Sequence, residues 1–228
     1  MKLLHPQAAE ALEKDHPVDV RVWRQGVVSV PLFSEDYCQY LIQKATSIPE
    51  WEPVIDEWET KTTHDLGKEI SLSRIIKLEQ LIPAFVRHLL PAIRASFRVE
   101  VTNMEEPFII RYALDGAKRM DRHQDAHGLV SGVVPLNDGF EGCRLRFPDL
   151  DFDAGVVPVG HVIMFPKTFV HEVTELISGE RYSLAMWMNG KPIKDPMTSN
   201  DEGSVETIKL TVRPVRRPVR NTVTPPQG

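Results

Sequence analysis

Cysteine and long apolar runs are both scarce in this 228-residue sequence. Its two cysteines, Cys38 and Cys143, are too few for a disulfide framework or a four-thiolate zinc site. The longest apolar run, Leu184–Met188, is far too short for a helix that crosses a bilayer. Residues Met1–Pro6 carry one cation and no apolar stretch, so we expect no secretory signal and predict a cytoplasmic location.

The overall composition is that of a globular protein with uneven charge. Hydrophobic residues make up 42% and charged residues 26%, which excludes a wholly disordered chain and a coiled coil. The net charge of −5 argues against a general nucleic-acid binder. Residues 205–228 carry +4, five cations against Glu206, which leaves −9 on residues 1–204. This basic end is either an interaction arm or a solvated segment that folds back on the acidic body.

Helical patterns are confined to the front half of the chain. Residues 6–15 are predicted to form a short helix. Ser34 is suited to cap a second helix, whose apolar stripe comprises Cys38, Leu41, Ile42 and Ala45. The pattern of residues 75–97 predicts a third helical region, and Pro83 and Pro91 inside it predict a kink or two shorter pieces.

Short strand candidates follow one another from residue 107, separated by turn residues such as Asn137-Asp138-Gly139. They are 108–112, 129–136, 144–147, 156–159, 162–165, 170–176 and 181–188, with earlier strand material at 18–33 and a last candidate at 207–212. Strands at this spacing predict a mainly β protein with flanking helices, built as a sandwich or barrel. We expect residues 1–100 to support a β core at 101–190, followed by a partly mobile, basic extension at 191–228.

The first candidate for chemistry is His123-Gln124-Asp125, which contains the only His-x-Asp pair in the chain. Positions i and i+2 of a strand share a face, so the imidazole and the carboxylate would converge. Such a pair alone is weak evidence, because it arises readily by chance.

Two residues much later in the chain strengthen the evidence from this pair. His171 opens a strand candidate, and Arg181 opens the next one after the Ser178-Gly179-Glu180 turn. If this turn is a three-residue hairpin loop, His171 and Arg181 share one face. Two imidazoles and one carboxylate leave three positions free on Fe(II), and a buried arginine can clamp the remote carboxylate of a dicarboxylate such as 2-oxoglutarate.

A wider set of residues forms a pattern more specific than its parts. It comprises Phe108–Tyr112, His123 with Asp125, Leu136-Asn137, Phe140–Gly142, Phe147, Gly160, Phe165-Pro166, His171 and Gly179–Tyr182. This pattern resembles the Fe(II)/2-oxoglutarate-dependent dioxygenases of the prolyl and lysyl hydroxylase type, and most closely the catalytic domain of the procollagen lysyl hydroxylases. The likeness is weaker in Pro31–Cys38 and near Trp51. Cys143 stands where the family usually has glycine. Cysteine cannot adopt every backbone conformation open to glycine, so neither the conformation of the substrate-facing loop nor the substrate can be carried over from the family.

The resemblance implies a double-stranded β-helix, or jelly roll, with N-terminal helices buttressing one sheet. His123, Asp125 and His171 would then be the metal ligands. Arg181 would bind the C5 carboxylate of 2-oxoglutarate, and Tyr112 would reach the same carboxylate. The resemblance also implies that the enzyme requires Fe(II), 2-oxoglutarate as co-substrate and O₂, and that ascorbate stimulates its activity.

These residues also have purely structural interpretations. For His123 and Asp125, the structural alternative is a hydrogen-bonded pair, and for His171 it is a strand histidine whose hydrogen bonds are satisfied. For Arg181 it is a surface ion pair, and for Tyr112 it is packing in the core. His127 is the candidate for substrate contact, with a surface role as its alternative. We interpret His161 as a non-ligand.

The predicted reaction is hydroxylation of an unactivated C–H bond in an amino-acid side chain of lysyl or prolyl type, free or in a peptide, or in a related small molecule. Succinate and CO₂ would be released. One alternative is a jelly-roll or cupin-like binding module without oxygenase activity. Another is a nucleic-acid demethylase, whose family has a second arginine where this chain has Trp187. We expect a small-molecule or peptide substrate and neither nucleic acid nor membrane as a partner, and the resemblance suggests a homodimer.

Overall fold

The computed structural model describes residues 2–53, 68–193 and 211–213. Its α-helices are α1 (Pro6–Glu13), α2 (Glu35–Thr46), α3 (Ile82–Ala84) and α4 (Leu90–Phe97), with a π-helical segment at Phe85–Leu89. The strands are β1 (Arg21–Arg24), β2 (Val27–Pro31), β3 (Glu52–Pro53), β4 (Lys68–Ser71), β5 (Val99–Glu105), β6 (Phe108–Ala113), β7 (Met120–His123), β8 (Val130–Pro135), β9 (Glu141–Gly142), β10 (Leu145–Phe147), β11 (Phe152–Asp153), β12 (His161–Pro166), β13 (His171–Val173), β14 (Leu176–Ser178), β15 (Glu180–Pro192) and β16 (Thr211–Arg213). Among these residues, 3₁₀ turns lie at Leu72–Arg74, Leu78–Gln80, Pro148–Leu150 and Ala154–Val156.

The predictions of the first two helices are confirmed. The Ser34 hydroxyl caps α2 by accepting a hydrogen bond from the backbone N–H of Tyr37 at 3.1 Å. In the predicted stripe, Cys38, Leu41 and Ala45 are buried, and Ile42 packs against the same core. The third helical region begins at Ile82 rather than at residue 75 and runs without a break to Phe97, so it is not two separate pieces. Pro83 lies in its first turn, and the π-helical segment Phe85–Leu89 directly precedes Pro91, which has no backbone N–H to donate within the helix.

The strands form two main sheets. The major sheet has the order β1-β2-β12-β8-β15-β6-β4-β3, with β5 also paired to β15 and β16 parallel to β5. The minor sheet has the order β11-β10-β13-β7, and β14 pairs separately with β9. All pairs other than β16 with β5 are antiparallel. The chain therefore crosses repeatedly between two facing sheets, as a jelly roll requires.

Alternation along β15 separates the two faces of the major sheet. Tyr182, Leu184, Met186 and Met188 belong to the large core that the helices cover. Arg181, Ser183, Ala185 and Trp187 alternate with them and therefore point to the other side, toward the minor sheet. This inner face carries two smaller apolar clusters. One contains Phe147 and Phe165, and the other contains Tyr112, Cys143 and Ala185.

Two strand-level expectations are wrong. His171 and Arg181 are not on paired strands of one hairpin, because β13 pairs with β10 and β7 whereas β15 pairs with β5, β6 and β8. Residues 156–159 form no strand, because a 3₁₀ turn ends at Val156 and Asp153 accepts a hydrogen bond from the backbone N–H of Gly155. The last candidate, 207–212, lies partly outside the described residues, and its end belongs to β16.

Within the described ranges, no helix combines the length and the hydropathy needed to cross a membrane.

Candidate metal centre

His123, Asp125 and His171 come together on the inner side of the minor sheet. His123 ends β7 and is the direct cross-strand partner of His171, which opens β13. Their ring centroids are 4.2 Å apart. The carboxylate of Asp125, two residues past His123, has an oxygen 3.9 Å from Nε2 of His171. One potential ligand atom from each residue lies within 4.8 Å of the others, so a single metal ion can be reached by all three.

Backbone carbonyls fix the orientation of both imidazole rings. Nδ1 of His123 lies 2.8 Å from the carbonyl oxygen of Asp121. Nδ1 of His171 lies 3.0 Å from the carbonyl oxygen of Phe169. A carbonyl oxygen only accepts, so each Nδ1 carries the hydrogen and each Nε2 keeps a free lone pair. This is the arrangement in which outer hydrogen bonds orient metal-binding imidazoles.

The surroundings of His171 favour its neutral form. Burial lowers the pKa of this imidazole, the Asp125 carboxylate opposes that shift, and His123 adds to it. Phe165 packs edge-on against the His171 ring at 4.9 Å, and Phe147 lies 6.0 Å from it. A neutral imidazole is the form that binds a metal cation.

Asp125 is held from the major sheet by a serine. The hydroxyl of Ser131 donates a hydrogen bond to Oδ2 of Asp125. Ser131 is the direct partner of Trp187 in the β8–β15 pairing, and it is fully buried on the inner face. The backbone N–H of Asp125 also donates to the carbonyl of Lys167 at 3.2 Å. The carboxylate of Asp125 is therefore held by the major sheet, although the residue itself follows β7 of the minor sheet.

Two imidazole nitrogens and one carboxylate oxygen fit a ferrous ion. This donor set leaves several coordination positions for other ligands. In the described part of the chain, no other cluster of three His, Cys, Asp or Glu side chains could hold a metal ion. His161 lies elsewhere, packed edge-on against His5 at 4.9 Å, in accord with its interpretation as a non-ligand.

Arg181 lies in the second apolar cluster of the interior. Its exposed fraction is 5%, and its buried Nη1 has no hydrogen-bond partner among the described residues. Its guanidinium carbon is 5.5 Å from the centroid of the Tyr112 ring. Burial raises the pKa of the nearby Cys143 thiol, and Arg181 offsets part of that shift. A buried guanidinium with an unused donor is costly, so the site suits an anionic ligand. Because Arg181 is buried, the alternative of a surface ion pair is wrong.

Tyr112 stands beside Arg181 as its direct partner in the β6–β15 pairing. Burial raises the pKa of its phenol, and Arg181 offsets part of that shift, so the hydroxyl stays protonated at neutral pH. The hydroxyl lies 3.9 Å from the sulfur of Met120. Tyr112 can thus present a neutral O–H donor next to a cation.

His127 belongs to a separate group of side chains. Its ring packs against Trp187 with 5.1 Å between centroids, and its Nδ1 is 3.3 Å from Oε1 of Glu105. Trp187 also contacts Phe108 at 5.0 Å. We name His127, Trp187, Phe108 and Glu105 the aromatic wall.

Sequence reasoning missed Ser131 and Glu105. The alternation of residues 129–136 could have placed Ser131 on the inner face with the site residues. No local sequence pattern predicts that Glu105 contacts His127, because its position there depends on the pairing of β5 with β15.

The comparisons with known proteins identify the fold. No protein-family model matches the sequence, and no curated protein matches it. Among solved structures, a prolyl-4-hydroxylase from Pseudomonas putida is 22% identical, with a TM-score of 0.58, and the match covers 81% of this chain and 100% of that chain. A viral collagen prolyl hydroxylase from Paramecium bursaria Chlorella virus 1, solved with 2-oxoglutarate, is 16% identical over 73% of this chain and 97% of that chain, with a TM-score of 0.54.

A third similar structure is a prolyl hydroxylase from Trichoplax adhaerens in complex with a peptide fragment of the hypoxia-inducible factor oxygen degradation domain. It is 13% identical over 81% of this chain and 88% of that chain, with a TM-score of 0.55. The chain therefore has the double-stranded β-helix fold with flanking helices. Its fold is similar to the folds of these prolyl hydroxylases, and the fold prediction is confirmed.

Proposed function

We propose that this protein is an Fe(II)- and 2-oxoglutarate-dependent dioxygenase. One observation carries the proposal. A His-Asp-His group with two free Nε2 atoms and a buried arginine with an unused Nη1 face the same interior between two sheets. The similar fold of prolyl hydroxylases, one of them solved with 2-oxoglutarate, supports the same function.

Different residues of the interior would bind the metal and the co-substrate. His123, Asp125 and His171 would hold Fe(II), and Arg181 with Tyr112 would bind the C5 carboxylate of 2-oxoglutarate. When bound, the metal with its co-substrate and O₂ would supply oxidation of an unactivated C–H bond, with release of succinate and CO₂. The apolar side chains around His171 and Tyr112 keep water from the site.

We propose an amino-acid side chain of prolyl or lysyl type as the substrate, free or in a peptide, or a related small molecule. The peptide complex of the similar Trichoplax prolyl hydroxylase supports a peptide. His127 would contact the substrate from the aromatic wall, beside the ligand Asp125. Trp187 stands six residues after Arg181, and the acidic body repels phosphate, so nucleic acid is not proposed as a substrate.

The same proposal includes a cytoplasmic location, stimulation by ascorbate and a homodimer. It also includes the division of the chain into a support at 1–100, a catalytic core at 101–190 and a basic extension at 191–228.

The experiment is a succinate-release assay with Fe(II), 2-oxoglutarate and a panel of free amino acids and short peptides containing proline or lysine. We expect slow release without substrate and faster release with the correct one. His171→Ala should abolish both rates. His161→Ala is the matched control, because it removes the histidine that opens β12 rather than β13 and should leave both rates intact. Absence of succinate under all conditions would overturn the proposal in favour of a binding module.

A further inference from the structure

The edge of β15 next to Arg181 lacks a full strand partner on one side. β8 pairs with β15 from Met188 to Ser183 and ends at Pro135. One further backbone hydrogen bond joins the N–H of Leu136 to the carbonyl of Tyr182 at 3.0 Å. The chain then turns away at residues 137–140. On the opposite side, β6 continues to pair, with Tyr112 facing Arg181.

The side chain of Asn137 occupies the position of the missing strand. Its Nδ2 donates a hydrogen bond to the carbonyl oxygen of Glu180 at 2.8 Å. Its Oδ1 accepts a hydrogen bond from the backbone N–H of Tyr182 at 2.7 Å. The carboxamide thus bonds both residues that flank Arg181, as the peptide group of a neighbouring strand would.

The two turns that meet here are packed closely together. Gly179 has φ +79°, and a Cβ on it would lie 2.9 Å from the carbonyl oxygen of Gly139 and 3.0 Å from the Cα of Phe140. Nδ2 of Asn137 also donates to the carbonyl of Asp138 at 3.0 Å, which holds the amide in its own turn. The carboxamide therefore has a fixed place from which to hold the β15 backbone.

We propose that Asn137 is a positioning residue for Arg181, and this inference rests on the proposed function of Arg181 as the anchor of the dicarboxylate co-substrate. The backbone conformation at Arg181 determines the direction in which its guanidinium group points. The hydrogen bonds of Asn137 to residues 180 and 182 fix that backbone on the side that β8 leaves open. Asn137 touches no co-substrate itself and acts through Arg181.

The chemistry requires a side chain that both donates and accepts. Asparagine offers an amide N–H and a carbonyl oxygen from the same short group. Aspartate would keep an acceptor for Tyr182 but would place a charged oxygen against the carbonyl of Glu180. Alanine would leave both backbone groups without their partner.

The test compares two co-substrates in wild type, Asn137→Ala and Asn137→Asp. One co-substrate is 2-oxoglutarate, and the other is a 2-oxo acid of similar size that lacks the remote carboxylate. We expect KM for 2-oxoglutarate to rise about 5- to 10-fold in both variants, with kcat nearly unchanged. KM for the monocarboxylate should not move, because that acid does not use Arg181. Asn103→Ala is the matched control, because among the described residues the Asn103 amide bonds the neighbouring Thr102 hydroxyl, at 3.1 Å, and no group near Arg181, so its loss should change neither value.

Two further measurements separate positioning from general structure. In an Arg181→Gln background, Asn137→Ala should cause no additional loss of 2-oxoglutarate affinity, because the group that it positions is gone. Amide hydrogen exchange at Tyr182 should speed up in Asn137→Ala without any co-substrate present.

The outcomes are distinguishable. If wild type prefers the dicarboxylate and Asn137→Ala keeps that preference, the positioning role is wrong and the proposed function stands. If Asn137→Ala weakens both 2-oxo acids equally, its role is only structural, and the inference is again wrong. If wild type shows no preference for the dicarboxylate, the anchor assignment of Arg181 fails, and this inference fails with it.

Discussion

His123 and His171 lie directly opposite each other on antiparallel strands β7 and β13, with 4.2 Å between their ring centroids. This register brings together two imidazoles that are far apart in the chain. Each donates its Nδ1 hydrogen to a carbonyl two residues earlier, that of Asp121 or Phe169. The same local geometry on two paired strands thus prepares both Nε2 atoms for one ion, and the adjacent Asp125 completes the set.

Removing the hydroxyl of Ser131 should weaken metal binding. Ser131→Ala takes away the hydrogen bond that positions the Asp125 carboxylate, and loss of such a supporting group typically costs about 10- to 100-fold in metal affinity. Ser29→Ala is the matched control, because Ser29 is equally buried at 1% but bonds the indole N–H of Trp23 instead. Competition with a fluorescent chelator measures both affinities, and equal losses in the two variants would refute the role of Ser131.

Replacing Arg181 by lysine should impair co-substrate binding more than folding. Lysine keeps the charge but loses the planar fork that can make two parallel hydrogen bonds to a carboxylate. We expect the affinity for 2-oxoglutarate to fall by about 1.5–3 kcal/mol. Isothermal titration of the metal-loaded protein measures it. Arg87→Lys, at an exposed ion pair with Asp15, is the control, and an unchanged affinity in Arg181→Lys would show that this guanidinium is not the anchor.

Gly128 should tolerate no side chain. It has φ +71°, and a Cβ on it would lie 3.1 Å from the backbone nitrogen of Met188 and 3.1 Å from Cβ of Trp187. Gly139 is the matched control, because its φ is also positive at +78° but a Cβ there would meet nothing within 4 Å. Both alanine variants should lose about 1–2 kcal/mol to the left-handed backbone.

Gly128→Ala should lose a further 1–3 kcal/mol, roughly, because the segment that carries Asp125 is forced away from β15. It should also bind metal more weakly. Urea unfolding of the two variants measures the difference, and equal stability losses would contradict the close contact.

Stability should fall between pH 6.5 and about pH 4, in part because of His161. Burial, then His5 and Arg21, lowers the pKa of His161 to about 4 in the folded protein. The unfolded chain therefore takes up this proton first as pH falls below the ordinary value near 6.5, so stability is complete above that pH and decreases through the window. His161→Gln should lose less stability than wild type between pH 7.5 and pH 4.5, by roughly 1 kcal/mol after allowance for solvent screening of a half-buried ring.

Denaturant unfolding at the two pH values measures this difference, with His16→Gln, in an exposed loop, as the control. If His161→Gln and wild type lose the same stability between the two pH values, His161 does not contribute.

Local signals predict the helices and most strands. Ser34 caps α2 because a short hydroxyl before an apolar stripe satisfies a free backbone N–H. Pro83 lies in the first turn of the later helix, a position that proline suits, and a π-helical segment precedes Pro91 inside that helix. The family pattern also predicted the three residues that converge in the candidate metal centre, whereas the i, i+2 spacing of His123 and Asp125 was weak evidence by itself.

Long-range pairing is what local signals do not predict. The 178–180 turn carries the chain from β14 to the major sheet instead of closing a hairpin, because β14 finds its partner in β9. The strands missed from the sequence are β3, β4, β5, β7, β9 and β11. Strand β7, for example, has four partly exposed residues and no apolar alternation. Arg181 and His171 are nevertheless both buried between the two sheets, each on a different sheet rather than on a shared one.

An anaerobic titration of the protein with Fe(II) in the presence of 2-oxoglutarate tests the central claim most directly. We predict a visible metal-to-ligand charge-transfer band that saturates at one Fe(II) per chain, needs 2-oxoglutarate, and is lost in His123→Ala and His171→Ala but kept in His161→Ala. No saturable band, or an undiminished band in the His123 and His171 variants, would contradict the account.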